Sequence, residues 1–208
     1  QKVKRIRISS IEPNLLNEGI IEFCHFSNLF MPHYHLPLQS GSNKILRAMR
    51  RRYDRDLYRS RVELIRLLEP DACIGADVIV GFPGETNDDF LDTYNFIKDL
   101  DISYLHVFTY SERQDTDAIN YSNNVPKGKR SERSKMLHIL SDKKRRAFNE
   151  RFIGSKREVL YEHSKNGLIY GHSDNYIRVK VEESTDIINT VKPTTLHEIS
   201  EGEVNGVI

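Results

Sequence analysis

Strand-like and helix-like segments alternate through roughly the first half of the chain, and that alternation points to parallel β-α-β units. Residues 3–9 read as a strand, with Ile6 and Ile8 alternating with Arg5 and Arg7. Residues 13–23 predict a short helix and 34–39 a second strand. Helices follow at 43–52 and 57–68, the latter carrying Leu57, Val62, Ile65 and Leu68 on one stripe. Residues 74–82 form a third strand, nearly all apolar. Thr86 then caps a helix with Asp88 and Asp89 in its first turn and Phe90, Tyr94 and Ile97 on its apolar face. Residues 104–110 make a fourth strand.

The pattern then changes. Residues 115–129 are a polar connection, and 130–152 read as one long helix with Met136, Leu140, Ala147 and Phe148 on its packed side. Short strands follow at 158–163, 168–170, 176–181 and 191–199, separated by Gly167, Gly171, Asn175 and Pro193. That is a small all-β module. The chain divides into 1–125, a linker helix at 126–153 and a β module at 154–208.

The composition, 38% hydrophobic and 29% charged, is that of a soluble globular protein. No apolar run approaches the roughly 20 residues that span a bilayer, and the start runs into a strand with no signal peptide. The two cysteines, Cys24 and Cys73, form neither a disulfide framework nor a complete cysteine metal site, which fits a reducing cytoplasm. No residue is assigned to a metal ion, and the sequence leaves the oligomeric state open. Net charge is +1, yet between residues 126 and 157 there are 12 Lys and Arg against 3 Asp and Glu. A phosphate-contact surface and a solvated helix face both fit that stretch.

Side chains alternate along each strand. Tyr34, Leu36 and Leu38, then Ala76, Val78 and Val80, supply apolar faces suited to packing under helices. The opposite faces carry Arg5, Arg7 and Ser9, then His35, Pro37 and Gln39, then Asp77, Ile79 and Gly81, then His106, Phe108 and Tyr110. A barrel filled by its own side chains has a branched aliphatic interior. A polar one suits either a lumen holding a polar ligand or buried polar groups that satisfy one another. Loops at the carboxyl ends of such strands build the site. Here they include Gln39-Ser40-Gly41-Ser42 and the glycine-bearing turn Gly81-Phe82-Pro83-Gly84-Glu85-Thr86. Glycines let backbone approach a flat ligand.

Five runs carry a resemblance. They are Arg7-Ile8-Ser9-Ser10-Ile11-Glu12-Pro13; His35-Leu36-Pro37-Leu38-Gln39-Ser40-Gly41-Ser42; Met49-Arg50-Arg51-Arg52-Tyr53; Asp77 through Thr86; and His106-Val107-Phe108-Thr109-Tyr110-Ser111. Together they resemble the radical SAM methylthiotransferases over almost the whole chain. The first run resembles the branch acting on threonylcarbamoyl-adenosine in tRNA. Gly154, the run from Tyr176 to Val181 and the run from Glu201 to Val204 are similar to the TRAM RNA-binding domain. The resemblance implies a partial parallel radical SAM barrel of TIM type followed by a small TRAM-like β-barrel. It implies that a four-iron four-sulfur cluster reduces S-adenosylmethionine to a 5′-deoxyadenosyl radical, which takes hydrogen from C2 of the modified adenine. A second such cluster supplies the sulfur. Neither cluster's ligands lie in this chain; the resemblance places them upstream, so the fragment alone is expected to be inactive.

The resemblance makes Gln39, Ser40, Ser42 and Arg50 candidates for the amino-acid and ribose parts of S-adenosylmethionine. Gly81, Phe82, Pro83, Gly84, Glu85, Thr86 and Tyr110 are candidates for its adenine, and Asp77 and His106 join the cofactor set. Glu12 is the candidate catalytic residue, near the substrate base. For tRNA the candidates are Lys143, Lys144, Arg145 and Arg146 on the helix and Tyr176, Arg178 and Lys180 on one strand face, where an aromatic between cations suits stacking and phosphate contact. Two other readings stay open: a small acid–base enzyme using His35, Asp77, Glu85 and His106, and a non-catalytic RNA-binding module.

Overall fold

The computed structural model describes residues 3–114, 116–182 and 187–208. Four parallel strands, β1 (Ile6–Ile8), β2 (Phe30–His35), β3 (Cys73–Val80) and β4 (Tyr104–Thr109), form one sheet in chain order. Between and after them run α1 (Glu18–Phe26), α2 (Asn43–Ala48), α3 (Arg55–Leu68), α4 (Asn87–Asp99) and α5 (Lys127–Glu150). The strand order never reverses, so crossovers of one hand put the helices on one face and leave the other open. On the covered face Tyr34, Leu36, Leu38, Ala76, Val78, Val80 and Leu105 pack against Ile21, Val62, Ile65, Phe96, Ile97 and Leu137. Each large apolar side chain buried there is worth about 1.5–3 kcal/mol.

The element boundaries shift for local reasons. The second strand begins at Phe30 and its regular ladder stops at His35, because Pro37 has no N–H to give. Leu36 and Leu38 still donate to the carbonyls of Gly75 and Asp77 at 2.9 and 3.1 Å. Tyr58 and Tyr53 donate their hydroxyls to the carbonyls of Leu36 and Pro37 at 3.0 and 2.8 Å. The first helix starts after Asn17, whose side chain accepts from the Ile20 N–H at 3.0 Å. Thr86 caps α4 with a reciprocal capping box to Asp89. On α5 the packed side holds Leu137, Leu140, Ser141 and Phe148, whereas Ala147 is exposed. Ser141 is inside because its hydroxyl accepts from the Leu105 N–H and donates to the Leu105 carbonyl, at 2.9 and 3.1 Å.

The strands β5 (Lys156–Lys165), β6 (Leu168–Ser173), β7 (Arg178–Glu182), β8 (Val191–Ser200) and β9 (Glu203–Val207) close into a barrel in the order β5-β6-β7-β9-β8. Closure leaves no unpaired edge. Gly171 and Pro193, read from sequence as breaks, lie inside β6 and β8. Gly171 is required there, since a Cβ would sit 2.2 Å from the Leu160 carbonyl oxygen. The barrel core of Val159, Tyr161, Ile169, Val179, Val181, Leu196 and Val204 continues through Phe148 and Phe152 to Cys73 and Tyr104 of the sheet. Arg7 reaches across to the Ser173 and Asp174 carbonyls at 2.7 and 2.9 Å, and Arg5 to that of Glu158 at 3.2 Å. These two arginines, placed by the sequence on the polar face that suits either a ligand lumen or mutually satisfied polar groups, tie β1 to the barrel.

Candidate functional site

At the carboxyl ends of the strands lies a cavity of about 640 Å³ bordered by Gln39, Arg50, Arg51, Asp77, Phe82 and Tyr110. Gln39, four residues past the end of β2, lies in the left-handed region, φ 67°, which is uncommon for a residue with a Cβ. Two backbone bonds hold it there: its N–H donates to the Asp77 carbonyl at 2.8 Å, and its carbonyl accepts from Ile79 at 2.9 Å. Phe82 meets Tyr110 edge-on at 5.5 Å and Tyr121 at 6.0 Å. The Tyr110 hydroxyl is buried without a hydrogen-bond partner. Arg50 forms an exposed ion pair with Asp117 at 2.7 Å, and Arg51 holds Glu12 at the rim at 2.7 Å.

Much of the candidate cofactor set builds the walls rather than the cavity. The Ser40 hydroxyl lies 3.1 Å from that of Thr93 and accepts from the Ser42 N–H at 3.1 Å. The Ser42 hydroxyl donates to Asp89 at 2.9 Å. Gly41 presses on α4, where a Cβ would fall 2.7 Å from the Thr93 Cα. Burial opposes ionisation of Asp89, but Lys44 at 2.6 Å, Thr86 and Ser42 together hold its carboxyl well below the usual range. In the following turn the Gly81 N–H is taken by both Glu85 oxygens at 3.1 Å, and Glu85 pairs with buried Arg133 of α5. Burial nonetheless pushes the Glu85 carboxyl up, against the pull of Arg133 and the Gly81 N–H. Gly84 donates to the Asn123 carbonyl at 2.9 Å, and Thr86 caps α4. Phe82 is the member of this turn that borders the cavity. Arg130 completes the frame, donating to the carbonyls of Val125 and Tyr110 at 2.7 and 2.8 Å and to Glu112 at 2.6 Å.

On the open face of the sheet His35 Nε2 lies 2.9 Å from Asp77 Oδ1, and the His106 ring is 5.3 Å from that of His35. Asp77 and His106 are register partners on β3 and β4. Burial, then His35, lowers the His106 pKa. Thiolates are the protein ligands of four-iron clusters, and this chain's thiols do not fit one. Cys24 and Cys73 are both buried, and burial pushes the Cys73 thiol up to about 12.

A second cleft, about 900 Å³, lies where sheet, α5 and barrel meet, with Tyr104, Arg145, Arg146, His172, Tyr176 and Arg178 on its walls. Of the candidates for RNA contact, read from sequence as two surfaces, Arg145 and Arg146 of the helix share this cleft with Arg178 of β7 and with Tyr176, which precedes β7 rather than lying on its face. Tyr176 stacks on His33 at 3.9 Å and His172 at 4.7 Å, with Arg7 over its ring at 5.1 Å. Lys143 is exposed. Lys144 is engaged with the carbonyls of Lys98 and Leu100 at 3.1 and 2.7 Å, closing the end of α4. Arg146 pairs with Glu150 at 2.8 Å and Arg178 with Glu203 at 2.9 Å. Lys180 is buried beside Glu203.

Residues 1–97 match the Radical SAM superfamily. The threonylcarbamoyladenosine tRNA methylthiotransferase MtaB of Bacillus subtilis is 37% identical over 194 residues, 91% of this chain and 43% of that protein. Over about nine-tenths of its length the chain is thus similar to a tRNA methylthiotransferase. A tRNA-2-methylthio-N(6)-dimethylallyladenosine synthase of Endomicrobium trichonymphae is 35% identical over 188 residues, 90% of this chain and 45% of that protein. The chain therefore spans less than half the length of these curated relatives. Among solved structures, coproporphyrinogen III oxidase (HemN) from Escherichia coli shares the fold at TM-score 0.52 and 16% identity, over 72% of this chain and 34% of that one. In this chain, sequence reasoning missed the far wall of the cavity. Arg51, Thr116, Asp117 and Tyr121 line it, three of them on a segment whose polar composition reads as a plain connection. The one available signal was Tyr121, an aromatic in a polar run.

Proposed function

We propose that this chain is the part of a tRNA-modifying methylthiotransferase that holds S-adenosylmethionine and docks the RNA. The full enzyme would place a methylthio group on C2 of N6-threonylcarbamoyl-adenosine, in the cytoplasm. The observation that carries this reading is the cavity at the strand ends, set in a chain whose relatives are named for that activity. The cavity suits a nucleoside with an amino-acid tail. Phe82 and Tyr110 form an aromatic corner for a purine, and the unpartnered Tyr110 hydroxyl can bond a ring nitrogen or hydroxyl. Gln39, Arg50 and Asp77 supply an amide, a cation and a carboxylate for the ribose and the tail. Ser40, Ser42, Glu85 and Thr86 act one layer out, holding those loops. When bound, S-adenosylmethionine supplies a radical for hydrogen abstraction and a methyl group. Glu12, at the rim, would face the substrate base.

For the RNA, the barrel is read as TRAM-like and the parts as 1–125, 126–153 and 154–208. Lys143, Arg145, Arg146 and Arg178 border or flank the junction cleft, while Lys144 and Lys180 serve the fold first. Phosphate contacts make affinity fall with salt, with a log–log slope of about −0.7 to −0.9 per contact. Reversing Lys143, Arg145 and Arg146 to Glu is expected to weaken tRNA binding and flatten that slope; unchanged binding would remove α5 from the RNA surface.

The deciding experiment deletes the gene and quantifies methylthiolated adenosines in total tRNA by mass spectrometry. Loss of the methylthio form of threonylcarbamoyl-adenosine, with the dimethylallyl form retained, is expected. Loss of the dimethylallyl form instead would assign the chain to the sister branch. Loss of neither would overturn the proposal.

A further inference from the structure

We propose that His35, Asp77 and His106 form a binding site for one first-row divalent metal ion on the open face of the sheet. Three adjacent strands contribute one donor each: His35 from the end of β2, Asp77 from the middle of β3 and His106 from β4. Asp77 and His106 are direct register partners, and His35 pairs with Gly75, two residues before Asp77 on the same face. The backbone of a hydrogen-bonded sheet therefore fixes the spacing, and strands hold a ligand set more precisely than loops do.

The distances suit a shared ion. With bonds of about 2.0–2.2 Å to imidazole nitrogen and carboxylate oxygen, two donors on one ion lie about 3 Å apart. His35 Nε2 and Asp77 Oδ1 are 2.9 Å apart, and all three donor atoms lie within 4.8 Å of one another. A side-chain rotation of exposed His106 closes the third distance. Two imidazoles and one carboxylate on one side of an ion leave its other positions open, and that donor set favours zinc, cobalt, iron or nickel over magnesium or calcium. Tyr104 walls the site. Its ring lies 5.2 Å from that of His106 and over Gly75, where a Cβ would come within 2.3 Å of it. The open positions face away from the helix-covered side of the sheet, beside the cavity that Asp77 also borders. They would accept water or a nitrogen, oxygen or sulfur atom of a ligand. The site shares Asp77 with the nucleoside reading but does not rest on it: metal binding asks only for the three side chains and is measured without S-adenosylmethionine.

The test uses the untagged chain, Co²⁺ followed by visible absorption and Zn²⁺ followed by titration calorimetry. One ion per chain is expected, with ligand-field bands that Zn²⁺ displaces. His106→Gln and Asp77→Asn should each weaken binding by more than the roughly 10–100-fold typical of losing an outer-sphere partner. The double variant His35→Gln/His106→Gln should abolish it. His172→Gln, which removes the imidazole bonded to Glu162 at 2.9 Å, should leave it unchanged. Circular dichroism checks that each variant folds, and exposed His106 gives a variant that does not disturb the core. No stoichiometric binding, or binding that survives His106→Gln and Asp77→Asn, would overturn the proposal and leave His35 and Asp77 as a hydrogen-bonded pair.

Discussion

The two ends of the parallel sheet are finished in opposite ways. At the carboxyl end the loops are held by buried or half-buried charge pairs: Glu85 with Arg133, Asp89 with Lys44 and Glu112 with Arg130. At the amino end the barrel seals the sheet with rings, His33, Tyr104, Tyr176 and His172, and with arginine bonds to carbonyls. Ion pairs are directional and fix loops around a space without filling it. Stacked rings fill space and exclude water. One helix, α5, serves both ends: Arg130 and Arg133 near its start frame the cavity, and Phe148 near its end enters the barrel core. Its 24 residues span about 36 Å, so movement at the barrel can reach the cavity walls through one rigid rod.

The strongest way to break the carboxyl end is Arg133→Ala. It would strand the buried Glu85 carboxylate, at a cost of about 3–5 kcal/mol by urea unfolding. The paired change Arg133→Met/Glu85→Gln should recover much of that loss. A loss under about 1 kcal/mol for Arg133→Ala would show that the loops do not depend on the ion pair.

The amino end should instead be sensitive to acid. Burial, with help from Arg7, His35 and His172, pushes the His33 pKa from 6.5 down to about 3. The unfolded chain takes up this proton below about pH 6.5, and the folded chain does not until about pH 3. Stability from this group is therefore complete above 6.5 and declines as pH falls toward 3. Between pH 6.5 and 5 the loss should be about 2 kcal/mol, before most carboxylates titrate. His33→Gln should flatten the thermal-midpoint profile in that window; an unchanged slope would mean that His33 is protonated in the fold.

Much of this contrast was legible in the sequence, and the rest was not for physical reasons. Alternating faces gave the sheet core correctly, because period-2 burial is local: Leu36, Leu38, Val78 and Val80 all pack inward. The Thr86 cap was equally local. Polar residues were harder, since a serine or arginine reads the same whether it meets a ligand or a neighbouring element. Ser40 and Ser42 turn to α4, Arg5 and Arg7 to the barrel, and Lys144 to the end of α4. Those partners lie tens of residues away or more, beyond the reach of any motif. Gly171 and Pro193 misled for the complementary reason: breakers by propensity, they occupy strand positions where barrel packing overrides the local preference.

The smallest effect separates wall from ligand contact most cleanly. Ser42 donates to Asp89 at 2.9 Å, and Asp89 also holds Lys44, Thr86 and the α4 cap. Ser42→Ala removes one bond of that set, so a loss of about 1 kcal/mol in unfolding free energy is expected, together with a rise in the Asp89 pKa. The cavity itself keeps its lining. Affinity for S-adenosylhomocysteine, measured by calorimetry on the same protein, should therefore stay within about twofold. Gln39→Ala removes a lining amide and should weaken it by up to about tenfold, the worth of one good hydrogen bond. Equal weakening by both variants would mean that Ser42 touches the ligand, and the two ends of the sheet would then differ less than their hydrogen bonds imply.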